Sequence, residues 1–238
     1  MKQLLRISMI GLVLAACGSD GPSFGPPIAA TPQQQTAVTT TTQYLNLMAG
    51  ASGNSEAAAG AAISFAITAP ALFGSAGASA PRPEIANIEA ALSGLAELTS
   101  GLDPSGCEVI TDHSVTWNHC TDNSIAINGS ISWSTGHVDV DLHATATAQG
   151  VTLDYAFTGS LTVSATAIDG DMTVSYHVTA GTQSASETVH TQIGVTLFAG
   201  CINSGTLTVT ATGSGTGTRN VAIQVVWTGC NMFQVRNG

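Results

Sequence analysis

Four ionisable side chains alternate along one short stretch, HVDVDLH, which contains His137, Asp139, Asp141 and His143. Because successive side chains of a β-strand point to opposite faces, this spacing puts all four on one face. Imidazole and carboxylate together can ligate zinc, copper or nickel. However, His137 and His143 would lie about 20 Å apart along an extended strand, too far to share one ion. The alternative interpretation is the solvated face of a sheet.

This stretch belongs to a long region of period-two hydrophobicity. Apolar residues alternate with Ser, Thr, Asn and Asp over most of residues 107–238, as in an antiparallel sheet with one buried face. Two-residue turns are predicted at 135–136, 149–150 and 169–170, the last being Asp-Gly, a strong hairpin signal. Each turn sets apolar residues opposite apolar residues, so we predict a meander of long strands.

The predicted hairpins extend the histidine pattern across several strands. They place Thr162 opposite both His137 and His177, and a further turn at 183–184 would place His190 opposite His177. The result would be a row of polar side chains over four strands, with neighbours about 5 Å apart. In this hypothesis His177 and His190 are the best candidates for a metal pair, and His137 is a third.

Motifs that signal catalysis are absent from the sequence. It contains no GxSxG, HExxH, GxxxxGK[ST] or strand-to-helix GxGxxG pattern. The sequence therefore favours a non-catalytic protein that needs no cofactor.

The N-terminus has the pattern of an export signal. Lys2 and Arg6 precede an apolar segment, residues 7–16, that is too short to span a membrane. The segment ends in LAAC, whose cysteine is Cys17, and this motif resembles the lipobox of bacterial lipoproteins. The resemblance implies cleavage before Cys17 and attachment of acyl chains such as palmitate to that residue. Two or three acyl chains hold a protein stably on a membrane, whereas one does not. The alternative is an ordinary signal peptide with an accidental Cys17.

The residue after the lipobox cysteine bears on localisation. It is Gly18, whereas Asp at this position usually retains Gram-negative lipoproteins in the inner membrane. The resemblance therefore implies a cell-envelope protein, anchored in the outer membrane if the host is Gram-negative.

Four cysteines remain after Cys17, and exported proteins meet an oxidising compartment. They occur in two copies of the pattern GC…WxxC…NG, each bracketing its own predicted hairpin. This arrangement favours disulfides Cys107–Cys120 and Cys201–Cys230. The second pair breaks the strict alternation by one residue, which predicts a β-bulge nearby. Zinc binding by the four thiols is the alternative, but it lacks CxxC spacing.

The chain divides into three parts. Residues 1–16 are the predicted signal peptide, 17–32 a Gly- and Pro-rich lipidated tether, and 33–238 a single domain. That domain is predicted to be α+β but mostly β, with helices within 33–99 and an antiparallel sheet over 107–238.

Helices are predicted near 33–49, 55–69 and 84–99. The last carries Ile and Leu on one stripe, with two glutamates off it. An amphipathic helix this short must dock on other structure. We therefore expect the N-terminal helices to pack on the apolar face of the sheet.

Charge excludes some partners. After removal of residues 1–16 the chain has three arginines, no lysine and fifteen acids, a formal charge of −12. Nucleic-acid binding requires a basic surface, which this composition does not provide.

Three hypotheses for the function follow from the sequence. The first is a non-catalytic structural or binding module of the envelope, with an envelope protein as partner. The second is a periplasmic carrier of lipid or another apolar ligand, which requires helices that leave a cavity against the sheet. The third is a metal-binding envelope protein.

Overall fold

The computed structural model describes residues 22–50, 60–62, 65, 106–122, 125–148, 150–214, 219–230 and 232–238. These residues include a helix, α1 (Pro32–Gly50), and ten strands. The strands are β1 (Glu108–Thr111), β2 (Ser114–Asp122), β3 (Ile125–Ser134), β4 (His137–Ala148), β5 (Val151–Val163), β6 (Ala167–Ala180), β7 (Gln183–Phe198), β8 (Cys201–Ser214), β9 (Arg219–Gly229) and β10 (Met232–Asn237).

The ten strands form one antiparallel sheet in which each strand pairs with the next along the chain, from β1 to β10. The predicted meander is therefore confirmed. One face, called here the inner face, carries the buried apolar side chains, such as Phe157, Leu207 and Val225. The opposite, outer face carries polar side chains such as Thr208, Asp171 and His190. Period-two alternation produces this division because adjacent side chains point to opposite faces.

The first two predicted hairpin registers are confirmed. Trp133 pairs with Val138 across the turn at 135–136. Leu142 pairs with Phe157 across the turn at 149–150.

The third predicted hairpin is wrong. Asp169 and Gly170 lie inside β6, and the turn occupies 164–166, so that Val163 pairs with Ile168. Gly170 faces Leu161, and a Cβ on Gly170 would contact the backbone of Ser160 and Leu161. This glycine therefore serves close packing rather than a turn.

The next predicted register is also wrong. The turn between β6 and β7 lies at 181–182, so that Thr173 rather than His177 pairs with His190. Relative to the predictions, the two registers differ by eight and four residues. Because both shifts are even, they keep every apolar side chain on the inner face, and apolar pairing cannot distinguish them.

Both predicted disulfides are present. Cys107 is joined to Cys120 and Cys201 to Cys230, with Cα–Cα distances of 5.3 and 5.5 Å. Each bond closes the open end of its own hairpin, β1–β2 or β8–β9. A register shift does occur in β8 close to Cys201, but against β7 rather than β9.

The segment before α1 lies along the edge of the sheet. The amides of Gly25 and Ile28 donate to the carbonyls of Asn237 and Val235, at 2.9 and 2.8 Å. These bonds cover the exposed edge of β10. A free tether after Cys17, predicted to reach residue 32, can therefore extend no further than residue 24.

Helix α1 lies where the sequence predicts a helix near 33–49. It begins with a capping box, because Thr31 Oγ1 accepts from the Gln34 amide while Gln34 Oε1 accepts from the Thr31 amide. Its side chains Val38, Leu45 and Met48 are buried in the same apolar cluster as the inner face.

The predicted helix at 84–99 and most of that at 55–69 lie outside the described residues. Among the described residues, no helix has both the length and the hydropathy needed to cross a membrane.

Candidate functional site

The outer face is a regular lattice of polar side chains. Neighbouring strands lie about 4.8 Å apart, and successive outward residues of one strand about 6.7 Å apart. Strand β8 contributes Ser or Thr at all its outward positions from Ser204 to Ser214. One polar row crosses nine strands through Ser114, Ser132, Asp139, Ser160, Asp171, Gln192, Thr208, Gln224 and Arg236.

Hydrogen bonds join neighbouring strands across this lattice. Thr196 Oγ1 and Ser204 Oγ are 2.7 Å apart, and Ser186 Oγ and Ser214 Oγ are 2.8 Å apart. Cross-strand pairs of this kind stabilise a sheet by about 0.2–1 kcal/mol each. Part of the hydroxyl content of the outer face thus stabilises the sheet itself.

Three histidines of the outer face, His137, His143 and His190, lie close to aspartate carboxylates. His137 Nε2 lies 3.1 Å from the Asp139 carboxylate. The closest pair joins His190 Nε2 to Asp171 Oδ1 at 2.6 Å, and it crosses from β7 to β6. Asp171 also accepts from Gln192 Nε2 at 3.2 Å. These side chains are well exposed, so the pairs contribute little to stability.

The fourth ionisable residue of the HVDVDLH stretch, His143, has its Nε2 3.4 Å from Asp141 Oδ1. All four side chains therefore share one face, as predicted, and divide into two separate His–Asp pairs.

The predicted histidine row does not form. His137 is opposite Thr162, as predicted, but Thr162 is opposite Asp169 rather than His177. His177 lies opposite Ser186, four residues from His190, so the two imidazoles are separated by about 13 Å along the strands. His177 and His190 cannot share an ion at that distance.

No alternative grouping of metal ligands replaces the row. In the part of the chain that the structure describes, no three His, Cys, Asp or Glu side chains come together as a metal site. The four cysteines of the β domain are joined in disulfides, which leaves no thiolate there for zinc.

The inner face carries an unexpected polar group, which we call the tyrosine–glutamate row: Tyr155, Tyr176 and Glu187. These residues are opposite one another on β5, β6 and β7. The Tyr176 hydroxyl donates to Glu187 Oε2 at 2.5 Å, a distance typical of a hydrogen bond to a charged oxygen. Gly213 pairs with Glu187 from β8, so no side chain of β8 covers the carboxylate from that position.

Tyr155 is the most enclosed member of the row. Tyr155 is only 6% exposed. Burial raises the pKa of this phenol well above its ordinary value of 10.0, so it remains a neutral donor and acceptor at physiological pH.

The tyrosine–glutamate row stands where the inner face meets solvent. Beyond it, toward the turns at 149–150 and 181–182, the inner-face side chains are apolar; Leu153 is buried, whereas Val151 is 37% exposed. We call this group the apolar rim: Ala146, Val151, Leu153, Val178, Ala180 and Ala185.

Pattern reading from the sequence did not identify the tyrosine–glutamate row. A signal was available, because Glu187 occupies the same alternation as Val189 and Ile193. An acid at an apolar position of a strand requires a partner, since an isolated charge is costly to bury.

Comparisons of the chain with protein-family models, curated proteins and solved structures find no match. The site is therefore interpreted from its own chemistry. Cys17, the predicted lipidation site, lies outside the described residues.

Proposed function

We propose that the protein is a bacterial envelope lipoprotein, anchored through acylated Cys17, whose β domain is a non-catalytic structural or binding module. The LAAC motif and the apolar segment before it carry the anchor assignment. The observation that carries the second part is the outer face, where hydroxyls and exposed His–Asp pairs form a continuous polar surface.

The path of the N-terminal segment supports an orientation for the anchored domain. From Ile28 to Gly25 the chain runs along β10 toward Asn237, so Cys17 follows from that end of the sheet. The eight residues 17–24 can span at most about 29 Å. In the proposed orientation the membrane is therefore near the end that carries the turns at 149–150 and 181–182.

The proposed domain also includes a helical cover for the inner face, formed by residues 33–99. Three observations support it: Val38, Leu45 and Met48 of α1 are buried, Phe65 is buried, and α1 contacts β6 and β8. Inner-face residues such as Phe157 and Leu207 could not remain buried without a cover.

The experiment is cell fractionation of the full chain carrying Cys17→Ser. We expect this variant to leave the membrane fraction, because it lacks the atom to which the lipid is attached. Ser19→Ala, two residues away, is the matched control and should remain in the membrane fraction. Retention of Cys17→Ser in washed membranes would overturn the anchor.

A second candidate function, the carriage of an apolar ligand, is favoured by one observation. The tyrosine–glutamate row places hydrogen-bonding groups on an otherwise apolar face, beside the partly exposed apolar rim. Binding sites for amphiphiles combine such features, because apolar surface holds the ligand and a few polar groups orient it.

A further inference from the structure

We infer that two hairpin tips of the sheet, residues 150–152 and 180–184, rest on the surface of the lipid bilayer and are held there by the short tether. This inference rests on the proposed anchor at Cys17 and gives the anchored domain a contact surface of its own. The tips belong to the β4–β5 and β6–β7 hairpins. They lie side by side, because Val151 pairs with Ala180.

The length of the tether limits how far the domain can stand from the membrane. Gly25 bonds to Asn237, and pairing from strand to strand places Asn237 level with Met172 of β6. From Met172 the strand continues for eight residues, or about 27 Å, to Ala180. Residues 17–24 can span at most about 29 Å. Measured along the strands, the tips therefore extend beyond Gly25 about as far as the fully extended tether, so the bilayer surface meets them.

The chemistry of the tips suits a lipid surface. Residues 150–152 and 180–184 contain no ionisable side chain, although the mature chain is strongly acidic. Val151 is 37% exposed, and all five residues from 180 to 184 are exposed. Hydroxyl and amide groups such as those of Thr182 and Gln183 both donate and accept hydrogen bonds, so they can bind lipid head groups. Because the tips carry no carboxylate, they are not repelled by anionic lipids.

The nearest carboxylates of β5 and β7 are set back from the tips. Asp154 lies two residues beyond the first tip and Glu187 three residues beyond the second, or about 7 and 10 Å along the strands. Both carboxylates accept hydrogen bonds within the sheet, Asp154 from Thr145 and Glu187 from Tyr176. The acidic groups therefore stand above the surface that the tips would contact.

The test measures the proximity of the tips to lipid head groups by fluorescence quenching. The full acylated chain is purified from membranes and reconstituted in phosphatidylcholine vesicles that contain a lipid with a nitroxide on its head group. A bimane label is attached to Thr182→Cys or to Val151→Cys, and the four cysteines of the β domain do not react because they are held in disulfides. We expect the vesicles to quench both labels several-fold, since a nitroxide quenches only at short range.

Ala165→Cys is the matched control, because Ala165 is exposed in the turn at the other end of β5 and β6. Its label should emit as strongly as in vesicles without nitroxide. Equal quenching of the labels at Ala165 and Thr182, or quenching of neither, would overturn the contact. Flotation of the same vesicles distinguishes this failure from failure of the anchor: protein that floats with the vesicles retains the anchor, whereas protein that does not float would refute the proposed function as well.

A longer tether tests the geometric argument. An insertion of about twelve Gly and Ser residues between Ser19 and Asp20 raises the maximum reach of the tether to about 70 Å, far beyond the tips. The domain can then move away from the bilayer, so quenching of the label at Thr182 should fall toward that of the label at Ala165. Unchanged quenching would contradict a contact that the short tether imposes.

Discussion

Removal of each disulfide should destabilise the domain by an amount set by the loop that it closes. Cys107–Cys120 closes a sequence separation of 13 residues and Cys201–Cys230 one of 29. The chain-entropy relation gives a stabilisation of about 3 kcal/mol for the shorter loop and about 3.6 kcal/mol for the longer one. Each loss is smaller than the total stability of a typical domain, about 5–15 kcal/mol, so both variants should still fold.

The assay is urea unfolding of the double variants Cys107→Ala/Cys120→Ala and Cys201→Ala/Cys230→Ala, followed by tryptophan fluorescence. Trp117, Trp133 and Trp227 are all buried, so their emission should shift on unfolding. The slope of the free energy of unfolding against urea should rise, since a chain without a cross-link exposes more surface when unfolded. Each melting temperature should fall by about 6–14 °C.

A mixed variant tests the connectivity itself. Cys107→Ala/Cys201→Ala breaks both bonds, and because the loops do not overlap, the losses should add to about 6.5 kcal/mol. If either double variant that removes a single disulfide lost less than about 1 kcal/mol of unfolding free energy, the entropic reasoning would be refuted. If the mixed variant were the milder one, the pairing of the cysteines would be wrong.

Two further changes test the interior of the sheet. Gly170→Ala should cost about 1–3 kcal/mol, because its Cβ would meet the backbone of the neighbouring strand, whereas Gly150→Ala, at a turn with open space, should cost about 1 kcal/mol. An unfolding free energy of Gly170→Ala equal to that of the wild type would contradict the position of Gly170 inside β6. Above pH 10 the unfolded Tyr155 phenol ionises while the folded one stays protonated, so the unfolding free energy should fall by up to about 1.4 kcal/mol per pH unit. Tyr155→Phe should lack the part of this pH dependence that Tyr155 contributes. If the unfolding free energies of the wild type and of Tyr155→Phe, measured by denaturant titration, fell equally from pH 9 to 11, the burial of Tyr155 would be contradicted.

The sequence pattern was sufficient for the class of fold and for the local pairings. Alternation over residues 107–238 predicted the antiparallel meander, and the repeated cysteine pattern predicted both disulfides. These features depend on neighbours in sequence: a two-residue turn determines its own hairpin, and a cysteine pair brackets a hairpin. The Ala-, Gln- and Thr-rich composition after residue 33 predicted α1, but its start is defined by the reciprocal Thr31–Gln34 bonds, which the sequence analysis did not use.

The pattern failed where a local signal had two physical explanations. Asp169-Gly170 suits a hairpin turn, but glycine also suits a strand whose neighbour approaches closely, as Leu161 does here. Apolar pairing could not correct the error, because an even shift of register preserves the two faces. The predicted row of His137, His177 and His190 depended on those registers and therefore failed with them.

The candidate ligand site was missed for a related reason. The clusters of ionisable residues in the sequence lie on the outer face, where such residues are expected in any solvated sheet. Glu187 stands alone in the sequence, and its neighbours Tyr155 and Tyr176 come from two other strands. The site becomes visible once the register brings the three residues together.

The proposed attachment of acyl chains to Cys17 can be measured directly. We would isolate the protein from cell membranes, digest it, and determine the mass of its N-terminal peptide by mass spectrometry. We expect this peptide to begin at Cys17 and to carry the added mass of a diacylglycerol and an N-linked acyl chain. A peptide that begins elsewhere, or an unmodified Cys17, would contradict the assignment of this chain as an envelope lipoprotein.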